Sequence, residues 1–117
     1  MASMVIVAGC AKINLQQIVI GHWRNDTAKI DYIFMEDSSI SIIPRSNTED
    51  CTSEIAKQND SEKSLLIYFK CPQPDLPGYV EEHKLEFSKD YSTFIDTKNI
   101  QGMLTRVDGN FYKVGEK

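Results

Sequence analysis

The chain has 117 residues and a mass of 13.3 kDa, room for one domain and one core. Apolar residues make up 41% and charged residues 26%, the balance of a folded globular chain and not of a disordered, collagen-like or membrane-spanning one. Thirteen Lys and Arg against seventeen Asp and Glu give a net charge of −4, which argues against general nucleic-acid binding and against electrostatic attachment to anionic lipid.

Met4 to Cys10 form a short apolar run that ends in a cysteine. Val7-Ala8-Gly9-Cys10 reads like a bacterial lipobox, where small residues admit a signal peptidase and the cysteine thiol carries the lipid. Only about five apolar residues precede Ala8, against roughly 7–15 in a signal core, and no Lys or Arg lies upstream. Two readings follow. Residues 1–10 are the tail of a signal with Cys10 as the lipidation candidate, or residues 4–8 are a buried first strand with an ordinary cysteine. In either case residues 11–117 form a single β domain.

Ile13 to Val19 can make a helical turn or two before the first strand, and no other segment sustains a 3.6-residue period. Strand signals dominate from there. Ile30, Tyr32 and Phe34 alternate with Asp31, Ile33 and Met35, and Ile40 and Ile42 alternate with serines. Leu65, Ile67 and Phe69 alternate with Leu66, Tyr68 and Lys70, and Leu85 and Phe87 with Lys84, Glu86 and Ser88. Tyr91 to Ile95, Ile100 to Val107 and Phe111 to Val114 complete the series. Turns are expected at Glu36-Asp37-Ser38, Ser88-Lys89-Asp90, Asp96 to Asn99 and Asp108-Gly109-Asn110. Spacings of this kind predict an all-β fold, a small antiparallel β-barrel or curved sheet of about eight strands.

Two stretches interrupt the pattern. Residues 45–63 are polar, with Ile55 their only large aliphatic side chain, and read as a long loop with a short helix around 53–59 as one option. Residues 71–78 carry three prolines, which bar them from a central strand. Strands 30–35 and 65–69 are apolar on both faces, so each needs cover from the N-terminal segment, a second sheet, a ligand or another chain.

If Cys10 is lipid-bound, Cys51 and Cys71 remain as an even pair for an oxidising compartment. Their bridge would close a loop of about 20 residues and stabilise by roughly 3 kcal/mol. The alternative is a set of free thiols in the cytosol. No Cys-x-x-Cys pair supports zinc or thioredoxin-like chemistry.

Gly21-His22-Trp23 stands where the first strand should begin, and Leu104-Thr105-Arg106-Val107 lies in one of the last. A glycine there lets the chain pass close under a barrel floor, the indole caps one end of the core, and an arginine can stack across its face. A Gly-x-Trp on the first strand with a late arginine resembles the lipocalin pattern, and in particular the short lipocalin-like domains of bacterial lipoproteins. That resemblance implies a barrel whose interior holds a small apolar molecule, with Trp23, Tyr32, Phe34, Ile67, Phe69, Leu85, Phe87, Leu104 and Arg106 as candidate interior residues. The chain is shorter than a full lipocalin and has no clear C-terminal helix, departures that argue against a deep cup.

Signals for catalysis are sparse. His22 and His83 stand at no metal-ligand spacing, and both read as exposed structural histidines, His83 at a strand edge. There is no nucleophile-elbow motif and no glycine-rich phosphate loop. Asp31 is the one acid inside an apolar strand and reads as an outward, solvated group. An enzyme reading would rest on Asp31, His83 or Tyr68 and would need one of them in a pocket with a shifted pKa. The expectation is therefore a non-enzymatic binding protein without cofactor or metal, extracytoplasmic, membrane-associated only through a lipid on Cys10. Its partner would be a small apolar ligand, or a protein held by the 45–63 and 71–78 loops. The alternative is a cytosolic module that self-associates through its two-sided apolar strands.

Overall fold

A computed structural model describes residues 14–44, 51–71, 75, 78 and 80–115. The lipobox reading, Cys10 and the alternative first strand at 4–8 lie outside the described residues, as do 45–50 and most of the proline loop. A single turn of helix, α1 (Leu15–Ile18), precedes β1 (Gly21–Asn25), β2 (Ile30–Phe34), β3 (Ile40–Ile43), β4 (Thr52–Asn59) and β5 (Ser64–Lys70). Then come β6 (Val80–Phe87), β7 (Thr93–Ile100), β8 (Met103–Arg106) and β9 (Phe111–Lys113).

The strands pair antiparallel in the order β3-β2-β1-β9-β7-β6-β5-β4. The two ends of this path meet: Ser39 bridges Thr52, the Ile40 N–H donates to the Cys51 carbonyl at 3.2 Å, and the Ser53 N–H donates to the Ser38 carbonyl at 2.8 Å. The result is a nearly closed up-and-down barrel of eight strands. β8 stands off this path, pairing only with the far half of β7, and all four of its residues are exposed.

Period two decides which residues go inside. Trp23, Tyr32, Phe34, Ile40, Leu65, Ile67, Phe69, Leu85, Phe87, Phe94 and Phe111 are all buried in one core. An eight-stranded barrel has an interior just wide enough for side chains to fill. Here the filling is aromatic: Phe87, Trp23, Phe94, Phe111, Tyr32 and Phe69 follow one another, with successive ring centres 4.5–5.9 Å apart. Such pairs each add about 0.5–1.5 kcal/mol beyond their buried area.

α1 closes one end. Asn14 caps it, its side-chain carbonyl accepting from the Gln16 N–H at 3.1 Å. Leu15 and Val19 are buried, and the Trp23 Nε1–H donates to the Val19 carbonyl at 2.9 Å. The backbone favours glycine at Gly21, where φ is +131°, a conformation that side chains rarely adopt. The cation over the indole is Lys113, its Nζ 5.1 Å from the ring centre and 2.9 Å from the Ile18 carbonyl. Arg106, expected in that role, is exposed on β8. β8 peels away from the barrel before the chain returns as β9, so the last barrel strand supplies a lysine instead.

Three further expectations are corrected. Thr52–Asn59 is a strand, neither loop nor helix, paired along β5 with a bulge between Ile55 and Lys57. It is hard to see in sequence because none of its residues is fully buried, so no strong apolar period is imposed on it. Asp96 to Asn99 is the second half of β7, and the turn falls instead at Gln101-Gly102, both with positive φ. Tyr91 belongs to the preceding turn, with φ +64°. Cys51 and Cys71 are both buried and form a disulfide, S–S 2.12 Å. It ties the start of β4 to the end of β5, beside the closing bridge.

Candidate functional site

The end of the barrel opposite α1 is open. Between the ends of β3 and β7 and the starts of β2 and β6 lies a cavity of about 350 Å³. Ile30, Ile42, Ile43, Pro44 and Phe69 give it apolar walls, and Tyr32, Glu81, His83 and Lys98 supply the polar groups. A wider groove of about 770 Å³ runs outside the barrel past α1, the β2–β3 turn and β4. Its charged groups are surface side chains such as Glu36 and the Lys70–Glu54 ion pair. The smaller cavity therefore holds the chemistry.

Its floor is a polar cluster in an aromatic setting. Asp96 is 0% exposed and His83 1% exposed. The His83 Nδ1–H donates to both oxygens of Asp96 at 2.9 Å, and Nε2 faces Glu81 Oε1 at 3.1 Å. The Tyr32 hydroxyl donates to Asp96 Oδ2 at 2.6 Å. The imidazole lies flat on Phe69, with ring centres 3.8 Å apart.

The local sequence dictates this placement. His83, Leu85 and Phe87 alternate inward on β6, Phe94 and Asp96 on β7, and Tyr32 and Phe34 on β2. Lys98 lies two residues beyond Asp96 and directly opposite His83 in the β6–β7 register.

The electrostatics follow from burial and pairing. Burial pulls the His83 imidazole down, but the hydrogen bonds to Asp96 and Glu81, together with their charges, outweigh it and hold the imidazole above its ordinary value. The Tyr32 phenol is pushed well above its ordinary range by burial, then by the charge and hydrogen bond of Asp96 and by the charge of Glu81. Both ring nitrogens of His83 therefore face carboxylates, an arrangement that favours the protonated imidazole. Neither nitrogen is free to engage a ligand while Asp96 and Glu81 hold these positions. Among the described residues no cluster of His, Cys, Asp and Glu has the makings of a metal site.

The residues singled out from sequence divide clearly. Tyr32 and Phe69 line the cavity. Trp23, Phe34, Ile67, Leu85 and Phe87 are interior but pack the core away from it, and Leu104 and Arg106 are outside the barrel. His83 is not an exposed edge histidine, because its ring fills an inward position that its two carboxylates make habitable. Asp31 is outward on β2, 2.6 Å from His22 Nε2 and 3.3 Å from Arg24 Nε. Asp96, Glu81 and Lys98 were missed. Counting by two onward from Phe94 reaches Asp96 and Lys98, and backward from Leu85 reaches His83 and Glu81.

No protein-family model matches the chain, and neither does any curated protein or solved structure.

Proposed function

We propose that the protein is a non-enzymatic, lipocalin-like binding protein that takes a small, largely apolar molecule into the open end of its barrel. The observation that supports this is the cavity of about 350 Å³, within the size range of small-molecule sites, with four aliphatic side chains and Phe69 on its walls. Ile43, at its rim, is 46% exposed. The aromatic column below leaves no deep cup, so the ligand sits at the mouth. Enzymatic use of His83 would require Glu81 to leave Nε2. Assembly through β8 has weaker support, since four residues of free edge bury far less than the roughly 1,200 Å² of a stable interface.

The test is saturable binding of the neutral dye N-phenyl-1-naphthylamine. Ile42→Trp, which fills the cavity from its wall, is expected to weaken binding by roughly tenfold or more, with the melting temperature read alongside to exclude unfolding. Ile30→Trp, from the adjacent strand of the same wall, should do the same. A dye that fails to saturate, or binds both variants as well as the parent, overturns the reading.

The Cys51–Cys71 disulfide suggests an oxidising environment. A lipid on Cys10 would hold the barrel at an extracytoplasmic membrane face. Intact mass of the protein expressed from its native gene is expected to show an acylated chain starting at Cys10. A chain beginning at unprocessed Met1 would remove the anchor.

A further inference from the structure

The floor of the cavity has no polar hydrogen left to give. The Tyr32 hydroxyl and His83 Nδ1–H are both directed at Asp96, and His83 Nε2–H at Glu81. A polar group pushed onto this floor would shed its water and gain no donor in return, whereas an apolar end gives up nothing. An anion would also meet Asp96 and Glu81 there. Lys98 lines the same cavity beside His83, half-buried where His83 is buried, and makes no ion pair with any described residue. A cationic head would meet this ammonium first, and would then compete with the imidazolium for Glu81.

Resting on the binding reading above, we infer that the ligand is an amphiphile with one anionic head, its apolar end against Tyr32 and Phe69 and its head at Lys98. Carboxylate, sulfonate and phosphomonoester heads share the required chemistry, a charge-assisted bond to a single ammonium. The apolar end lies against the wall that carries Ile30 and Ile42, where each buried methylene contributes about 0.8 kcal/mol.

The experiment is calorimetric titration of the full chain with decanoate, decan-1-ol and decylamine, each below its micelle concentration, for the parent and for Lys98→Met. That substitution keeps an apolar stem on a half-buried position and should fold normally. Decanoate is expected to bind roughly tenfold tighter than decanol in the parent, the size of one bond to a charged group. Lys98→Met should erase that preference and leave decanol unchanged. Decylamine binding tightest, or a decanoate preference that survives Lys98→Met, overturns the inference while the binding reading stands. Equal binding of decanol and decanoate does the same. Failure of all three probes overturns both.

Discussion

His83→Leu is expected to cost about 3–5 kcal/mol, because it strands Asp96 as a buried, unpaired carboxylate. That is a large part of the roughly 5–15 kcal/mol by which a domain of this size is stable. At about 4–8 °C per kcal/mol, the melting temperature should fall by more than about 12 °C. Adding Asp96→Leu removes the stranded charge and should recover part of the loss, since apolar replacement of a whole buried pair is often near neutral. Glu81 needs no such rescue, as its side chain is 15% exposed and can turn to water. A His83→Leu melt indistinguishable from that of the parent would mean that Asp96 is not held by the imidazole.

The same cluster sets a pH dependence. His83 is protonated more readily in the folded protein than in the unfolded chain, where its ordinary value is 6.5. The stabilisation from its pairing is therefore fully present below about 6.5 and is lost as pH rises through the higher folded value. Tyr32 acts in the same direction further up: its neutral phenol is favoured in the fold, so its contribution fades once pH passes its ordinary value of 10.0. The urea midpoint is expected to fall as pH rises from about 6.5 towards 9, and His83→Leu should flatten that slope. A midpoint that rises over this range would contradict the cluster.

The core was legible because a barrel wall imposes a period of two, and Ile30-Tyr32-Phe34 and Leu65-Ile67-Phe69 obey it. Gly21-His22-Trp23 was legible too, since a strained glycine before a buried indole is an unusual local demand. The site was not legible, for a physical reason. Tyr32 keeps the alternation, but Glu81, His83, Asp96 and Lys98 each break it at the position where it matters. Asp96-Thr97-Lys98-Asn99 has the composition of a turn, and only a histidine 13 residues earlier and a tyrosine 64 residues earlier make an inward aspartate tolerable. Pairs at such separations leave no local mark. β4 was hidden by the opposite circumstance: with no fully buried residue it needs little apolar face, so Thr52–Asn59 reads as polar linker.

Trp23→Ala is expected to cost about 3–5 kcal/mol, the range for deleting a fully buried aromatic side chain. The indole touches Phe87 and Phe94 and lies under Lys113, so the loss is shared between core and closed end. Trp23→Phe separates the two. It keeps an aromatic ring against Phe94 but removes the Nε1–H, leaving the Val19 carbonyl without its donor at a cost of about 1–3 kcal/mol. Hydrogen exchange should then quicken at the Ile18 and Val19 amides, which close the turn of α1, while the amides of β5 keep their protection. Dye binding at the opposite mouth should persist, because α1 seals the far end of the barrel and none of its residues line the cavity. Exchange that quickens equally in α1 and β5 would show that the indole N–H supports the whole barrel, and that the closed end and the binding end do not behave as separate units.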